Sequence, residues 1–211
     1  MYRRITLISL AIFGILLGAA WMTPDTWVVD EARVMDASPD IVWPFVSDAA
    51  TFSEWTVWTP EHREGLDSED FETTGGLRGY RWSSARSMGE ITTRAVESGR
   101  VVALAGSAEG RFPIDGSIVV EEQEDGGVVV RWTHEGELGW DPLMRLLRPV
   151  VQGRMAEDVS ASLGRLGELA EEAQRAATPH PDAPIGTLAP SPEEGRPMEE
   201  EPDAPTDPAN D

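Results

Sequence analysis

The chain has 211 residues and a net charge of −21, from 38 acidic residues against 17 basic ones, every one of them Arg. So acidic a protein repels phosphate backbones, which argues against nucleic acid as a partner. It contains no Cys, and that excludes disulfides, thiolate nucleophiles, Cys-based zinc sites and a lipidated N-terminal Cys.

At the N-terminus, Ile5 to Met22 carries no charge, and Arg3 and Arg4 stand just before it. Eighteen helical residues span about 27 Å, close to the thickness of a hydrocarbon core. Trp21 and Trp27 fall where interfacial aromatics belong. The run reads as a single transmembrane anchor over 5–22, with residues 1–4 in the cytoplasm. A cleaved signal peptide is the alternative, because Gly18 and Ala20 offer small residues at a peptidase spacing. The two Arg stay in the cytoplasm on either reading, which puts the rest outside the cytoplasmic membrane or, after cleavage, secretes it.

One domain is expected over 27–177. Trp27 to Asp36 has strand-forming content. Ser38 followed by Pro39 is a helix start, cap then first-turn proline. The helix carries Ile41, Val42, Trp43 and Phe45, with Trp43 as core anchor, and a second short helix covers Ala49 to Trp55. Asp67 to Glu72 reads as an acidic loop. Its Asp67, Glu69, Asp70 and Glu72 lack the glycine and ligand spacing of a calcium loop, so no metal site is assigned. Several β segments follow, punctuated by Gly75-Gly76, Ser98-Gly99, Asp115-Gly116 and Asp125-Gly126-Gly127. Val128, Val130, Trp132 and His134 share one face of a strand, and Tyr80 and Trp82 share a face of an earlier one. Connections this short predict an antiparallel meander.

Asp141-Pro142 opens the last helical region, which Pro149 kinks or restarts. From there Met155, Val159, Leu163, Leu166, Ala170 and Ala173 form one apolar stripe. Glu157, Asp158, Arg165, Glu168 and Glu172 take the opposite face. The remainder, 178–211, holds nine Pro and nine acidic residues and reads as a disordered acidic tail.

Catalytic signatures are sparse. The sequence has no nucleophile elbow, P-loop, dinucleotide fingerprint or HExxH, and no cofactor is assigned. His62 falls in a loop and His180 in the tail. Only His134 is placed to face a cavity, as a weak candidate base or ligand-polarising group, although a histidine at a strand end is commonly structural. Trp55 and Trp58 either pack the corner between helices and sheet or line the mouth of a cavity walled by Tyr80, Trp82 and Trp132.

The order Ala37-Ser38-Pro39-Asp40-Ile41-Val42-Trp43, Ser47-Asp48, Ser53-Glu54-Trp55-Thr56-Val57-Trp58 resembles the SRPBCC group of the START-like superfamily, and within it the bacterial polyketide cyclase/dehydrase type. Gly126-Gly127-Val128-Val129-Val130-Arg131-Trp132 is similar to the group's late strand, with Val128 where Thr is commoner. Asp141-Pro142-Leu143-Met144-Arg145, then the helix ending near Leu166-Gly167-Glu168-Leu169, is similar to its C-terminal helix. The resemblance covers roughly 27–175. It implies an α+β helix-grip fold, a curved antiparallel sheet wrapped around a long helix and enclosing an apolar cavity, in a group that includes aromatase/cyclases and lipid and hormone carriers. The expectation is therefore a membrane-tethered, extracytoplasmic domain that binds a small apolar ligand (a lipid, sterol-like or aromatic molecule) through Trp55, Trp58, Tyr80, Trp82, Trp132 and His134. A cyclase/dehydrase-like enzyme and a ligand-free scaffold are the alternatives.

Overall fold

A computed structural model of the chain describes residues 2–85, 88–97, 100–108, 112–124 and 126–178. The expected tail and the Ser98-Gly99 turn lie outside them, apart from Thr178.

Seven strands form one sheet in the order β1-β7-β6-β5-β4-β3-β2, with every neighbouring pair antiparallel. They are β1 (Thr26–Met35), β2 (Leu66–Glu72), β3 (Arg78–Ser84), β4 (Met88–Glu97), β5 (Val101–Ala108), β6 (Phe112–Glu122) and β7 (Val128–Glu137). The meander is β2 to β7, and β1 closes against β7 in the register Trp27↔Gly136 to Met35↔Val128. Strand β7 shows the alternation most fully. Val128, Val130, Trp132 and His134 are buried, while Arg131 and Glu135 are exposed.

Three expectations about local structure need correction. Asp115-Gly116 is no turn; it lies inside β6, where Gly116 pairs with His134. A Cβ there would sit 2.7 Å from the Thr133 carbonyl oxygen, so the glycine serves close strand approach rather than chain reversal. The acidic run is also no loop, since Leu66–Glu72 is edge strand β2. An edge strand keeps one side in water and tolerates acids, which also discourage pairing with another chain. Arg81 on β3 bridges Glu69 and Glu90 across this edge; pairs so exposed add little stability. Trp27, finally, is no interfacial anchor. It is buried in β1, and its indole lies over Gly136, where a Cβ would come within 2.5 Å of the ring.

The helices follow the chain signals closely. In α1 (Tyr2–Met22) nearly every side chain is exposed, and only Ala20 is buried. Ser38 has the extended backbone of a cap and Pro39 opens α2 (Pro39–Val46). Trp43 is only half-buried; Val42 and Val46 are the fully buried residues of that helix. A single 3-10 turn (Ala49–Thr51), capped by the Asp48 side chain, leads into α3 (Phe52–Trp55). Asp141 caps α4 (Pro142–Leu146) by accepting from the Leu143 N–H. Pro149 sits in the first turn of α5 (Arg148–Ala177), so it restarts the helix rather than kinking it.

Helix α5 has 30 residues, about 45 Å at 1.5 Å per residue. Val159, Leu163, Leu166 and Ala170 of its stripe are buried, with Met155 packed at their margin. The sheet's inner face and α2–α3 cover them in one continuous core. Truncating Leu163 to Ala at this seam would cost about 2–5 kcal/mol.

Candidate functional site

Strands β3 and β7, helix α3 and the segment after it bring Trp55, Trp58, Tyr80, Trp82, Trp132 and His134 into one buried cluster, none more than 6% exposed. Trp132 is central. Its ring lies 5.1 Å from that of Trp55, 5.8 Å from Trp58 and 4.9 Å from His134. Trp58 stacks on Trp82 at 4.8 Å with the planes 8° apart, and Tyr80 lies beside Trp82 at 6.2 Å. Offset and edge-on contacts of this kind are favourable beyond the area they bury. Gly89, opposite Trp82 on β4, makes room for the indole, since a Cβ there would come within 2.2 Å of it. The rings touch one another, and Trp55 and Trp58 lie inside the cluster rather than at its rim.

The side-chain polar atoms of these residues other than Trp82, together with that of Thr56, fall into two sets. In one, every donor has found an acceptor. Trp55 Nε1 donates to the Phe45 carbonyl at 2.9 Å, Tyr80 Oη to the Trp58 carbonyl at 2.6 Å, and Trp58 Nε1 to Asp158 Oδ2 at 3.3 Å. Burial pushes the Tyr80 phenol above its ordinary pKa, so it remains a donor. In the other set, Trp132 Nε1, both ring nitrogens of His134 and Thr56 Oγ1 are buried without a partner. An unmade hydrogen bond at such a site costs on the order of 1–3 kcal/mol.

Burial lowers the His134 pKa from 6.5 to about 4, because a low-dielectric interior disfavours the imidazolium. At neutral pH the ring therefore carries one N–H donor and one bare acceptor. As a base it is weak there, since an efficient general base has a pKa near the working pH. Gly116 contributes to its isolation. A Cβ at that position would stand 3.1 Å from His134 Nδ1, so the neighbouring strand places no side chain over that nitrogen.

A polar brace covers the cluster on the α5 side. Asp158 pairs with Arg63 and accepts from Trp58 Nε1. Ser162 Oγ accepts from the Val57 N–H at 3.1 Å and donates to the Asp158 carbonyl at 2.8 Å. Arg165 donates to the Trp55 and Glu54 carbonyls and to His62 Nε2. In its neutral form His62 then carries its proton on Nδ1 and donates to Thr59 Oγ1 at 2.8 Å. Segment 56–65 is thus held to α5 through polar side chains.

Sequence reasoning missed Thr56, Arg63 and Ser162, and placed Asp158 and Arg165 on the outer face of the helix. One signal was available: Asp158 and Ser162 are four residues apart, each directly before a member of the apolar stripe. Polar residues at the margin of a buried stripe have a partner to find.

Sheet, long helix and inward-facing aromatic cluster define a helix-grip domain. The family described as polyketide cyclase/dehydrase and lipid transport matches residues 26–171, and the chain belongs to that family. Among solved structures, a norcoclaurine synthase point mutant from Thalictrum, in complex with a transition-state analogue, aligns with TM-score 0.54 and 14% identity, over 70% of this chain and 96% of that one. A Thermus thermophilus protein aligns with TM-score 0.52 and 20% identity, over 70% and 99%. The XoxI protein of Bacillus cereus gives 0.51 and 14%, over 69% and 96%. At these identities the likeness is one of fold. No curated protein sequence matches the chain.

Proposed function

We propose that the domain binds a small, mainly apolar molecule that carries one hydrogen-bonding group. The observation that carries this reading is the second polar set. Trp132 Nε1 and His134 on the inner face of β7, and Thr56 Oγ1 at the end of α3, offer donors and an acceptor, all buried and without a protein partner. A ligand's hydroxyl could accept from one of these donors and donate to the bare His134 nitrogen or to Thr56 Oγ1, and the indoles would cover its apolar body. Since the rings are in contact, an occupied site requires Trp58 to leave its stack on Trp82, moving with segment 56–65 and loosening the brace to Asp158. The low pKa of His134 favours binding over general-base catalysis at neutral pH.

A matched pair of probes tests this. 1-Naphthol and 1-methylnaphthalene have nearly the same shape, and only the first has a hydroxyl. By quenching of Trp fluorescence, naphthol is expected to bind about tenfold more tightly, the worth of one well-placed hydrogen bond. His134→Phe should erase the difference. Equal binding of the two by the wild type would refute the role given to the polar set. No binding of either would leave the domain a scaffold.

The same reading places the domain beside a membrane. Helix α1 is 21 residues long, its last 18 residues are uncharged, and its side chains are almost all uncovered by the rest of the protein. Arg3 and Arg4 favour retention of its N-terminus in the cytoplasm and an extracytoplasmic domain. A reporter that fluoresces only in the cytoplasm, fused after Ala177, should stay dark; bright signal from intact protein would reverse the topology.

A further inference from the structure

Taking α1 as a membrane anchor, we propose that α4 and the first turn of α5 form a second contact with the bilayer, an apolar face that lies in the lipid headgroup region beside the end of α1. Its residues are exposed. Trp140 is 77% exposed, Leu143 61%, Leu147 40% and Val150 52%. Leu143 lies in α4, Leu147 at the junction of the two helices and Val150 in the first turn of α5. Nothing in the described part of the protein covers them.

Its position relative to α1 names the occupant. Ala20 of α1 is fully buried at the junction with α4. The Trp21 and Trp140 rings meet edge to face at 6.3 Å. Arg145 turns inward, donating to the Gly139 carbonyl at 3.0 Å and to Asp25 Oδ2 at 3.3 Å, and so ties α4 to the segment that leaves α1. With α1 across the bilayer, Trp21 and Met22 end at its surface, and Trp140 is held at the same depth. Tryptophan favours that depth, where its ring meets lipid and its N–H meets water. The neighbouring charges nearly balance: Asp25, Glu137 and Asp141 stand against Arg145, already paired with Asp25, and Arg148. The contact is therefore made by apolar insertion, without need of anionic lipid, and should persist at high salt. It would fix the domain against the membrane rather than leave it swinging on its anchor.

Because the chain has no Cys, single nitroxide labels can be placed by substitution in the full-length protein, reconstituted into phosphatidylcholine vesicles. Leu143→Cys, Leu147→Cys and Val150→Cys report on the face, and Leu10→Cys on the anchor. Val34→Cys is the control. It is 68% exposed and eight residues along β1 from its start, roughly 26 Å away at 3.3 Å per residue. Accessibility to oxygen relative to a water-soluble nickel chelate reads depth. The expected result is a severalfold higher ratio at 143, 147 and 150 than at Val34, unchanged by salt. If Leu10 reports lipid while the three report water, the second contact is overturned and the anchor stands. If Leu10 reports water and the three report lipid, the anchor reading falls and the contact stands. Water at all four sites removes both. Spin–spin broadening between chains at the three sites would show a second copy on the face, and would also overturn the proposal.

Discussion

Two halves of one aromatic cluster differ in how their polar atoms are treated. Around Trp55, Trp58 and Tyr80 each donor meets an acceptor, and two of those acceptors are backbone carbonyls. In Trp132, His134 and Thr56 the buried side-chain polar atoms have no protein partner. The two halves share rings in contact, so a difference in packing does not separate them. Folding alone accounts for the first half. The second half holds side-chain polar atoms that no other protein group satisfies, and such atoms concentrate where a protein meets something else.

The largest expected effect breaks the matched half. Trp55→Ala removes a fully buried indole and leaves the Phe45 carbonyl without its donor, and should lower unfolding free energy by about 3–5 kcal/mol, read from the urea midpoint. The unmatched half should respond to pH instead. Between pH 6.5 and about 4 the unfolded chain binds a proton at His134 that the native state refuses, so stability falls as pH falls. The loss should total about 3 kcal/mol across that window, at 1.36 kcal/mol per unit, and His134→Phe should remove its share of the slope. A denaturation series from pH 7 to 4, with an identical slope in the variant, would show that His134 is not the group responsible.

Two smaller substitutions should move stability in opposite directions. Tyr80→Phe deletes one hydroxyl from the matched half and should destabilise by about 1–3 kcal/mol, because the Trp58 carbonyl loses its donor. Thr56→Val deletes one hydroxyl from the unmatched half. It should leave stability unchanged or raise it by up to about 1 kcal/mol, since that oxygen is bonded to nothing, while weakening naphthol binding. A loss in both variants would erase the distinction between the halves.

Much of this architecture is legible in the sequence. The period-two run from Val128 to His134 and the stripe from Met155 to Ala173 reveal the inner sheet face and the gripped helix, because each repeats often enough for its period to show. Asp141-Pro142 and Ser38-Pro39 mark helix starts through local chemistry that needs no tertiary context. Asp115-Gly116 misleads because a turn and a close strand approach both call for glycine, and only the partner strand separates them. The acids of β2 mislead because an edge strand follows the rules of its exposed side. The grouping of six candidate residues follows from faces that can be read, but the division between matched and unmatched atoms cannot. It depends on the Phe45 and Trp58 carbonyls, on Asp158 from α5 and on the absence of a side chain at Gly116. These are long-range facts of position that no local pattern encodes.

The most direct measurement of ligand recognition by the unmatched half follows the indole N–H resonances of protein labelled with 15N at tryptophan, assigned by single Trp→Phe substitutions, as 1-naphthol is added. If its hydroxyl bonds to the unpartnered set, the Trp132 Nε1–H resonance shifts most, and the Trp55 resonance, already bonded to the Phe45 carbonyl, holds its position. Naphthol binding that leaves Trp132 unmoved, or that shifts Trp55 as far, would contradict it.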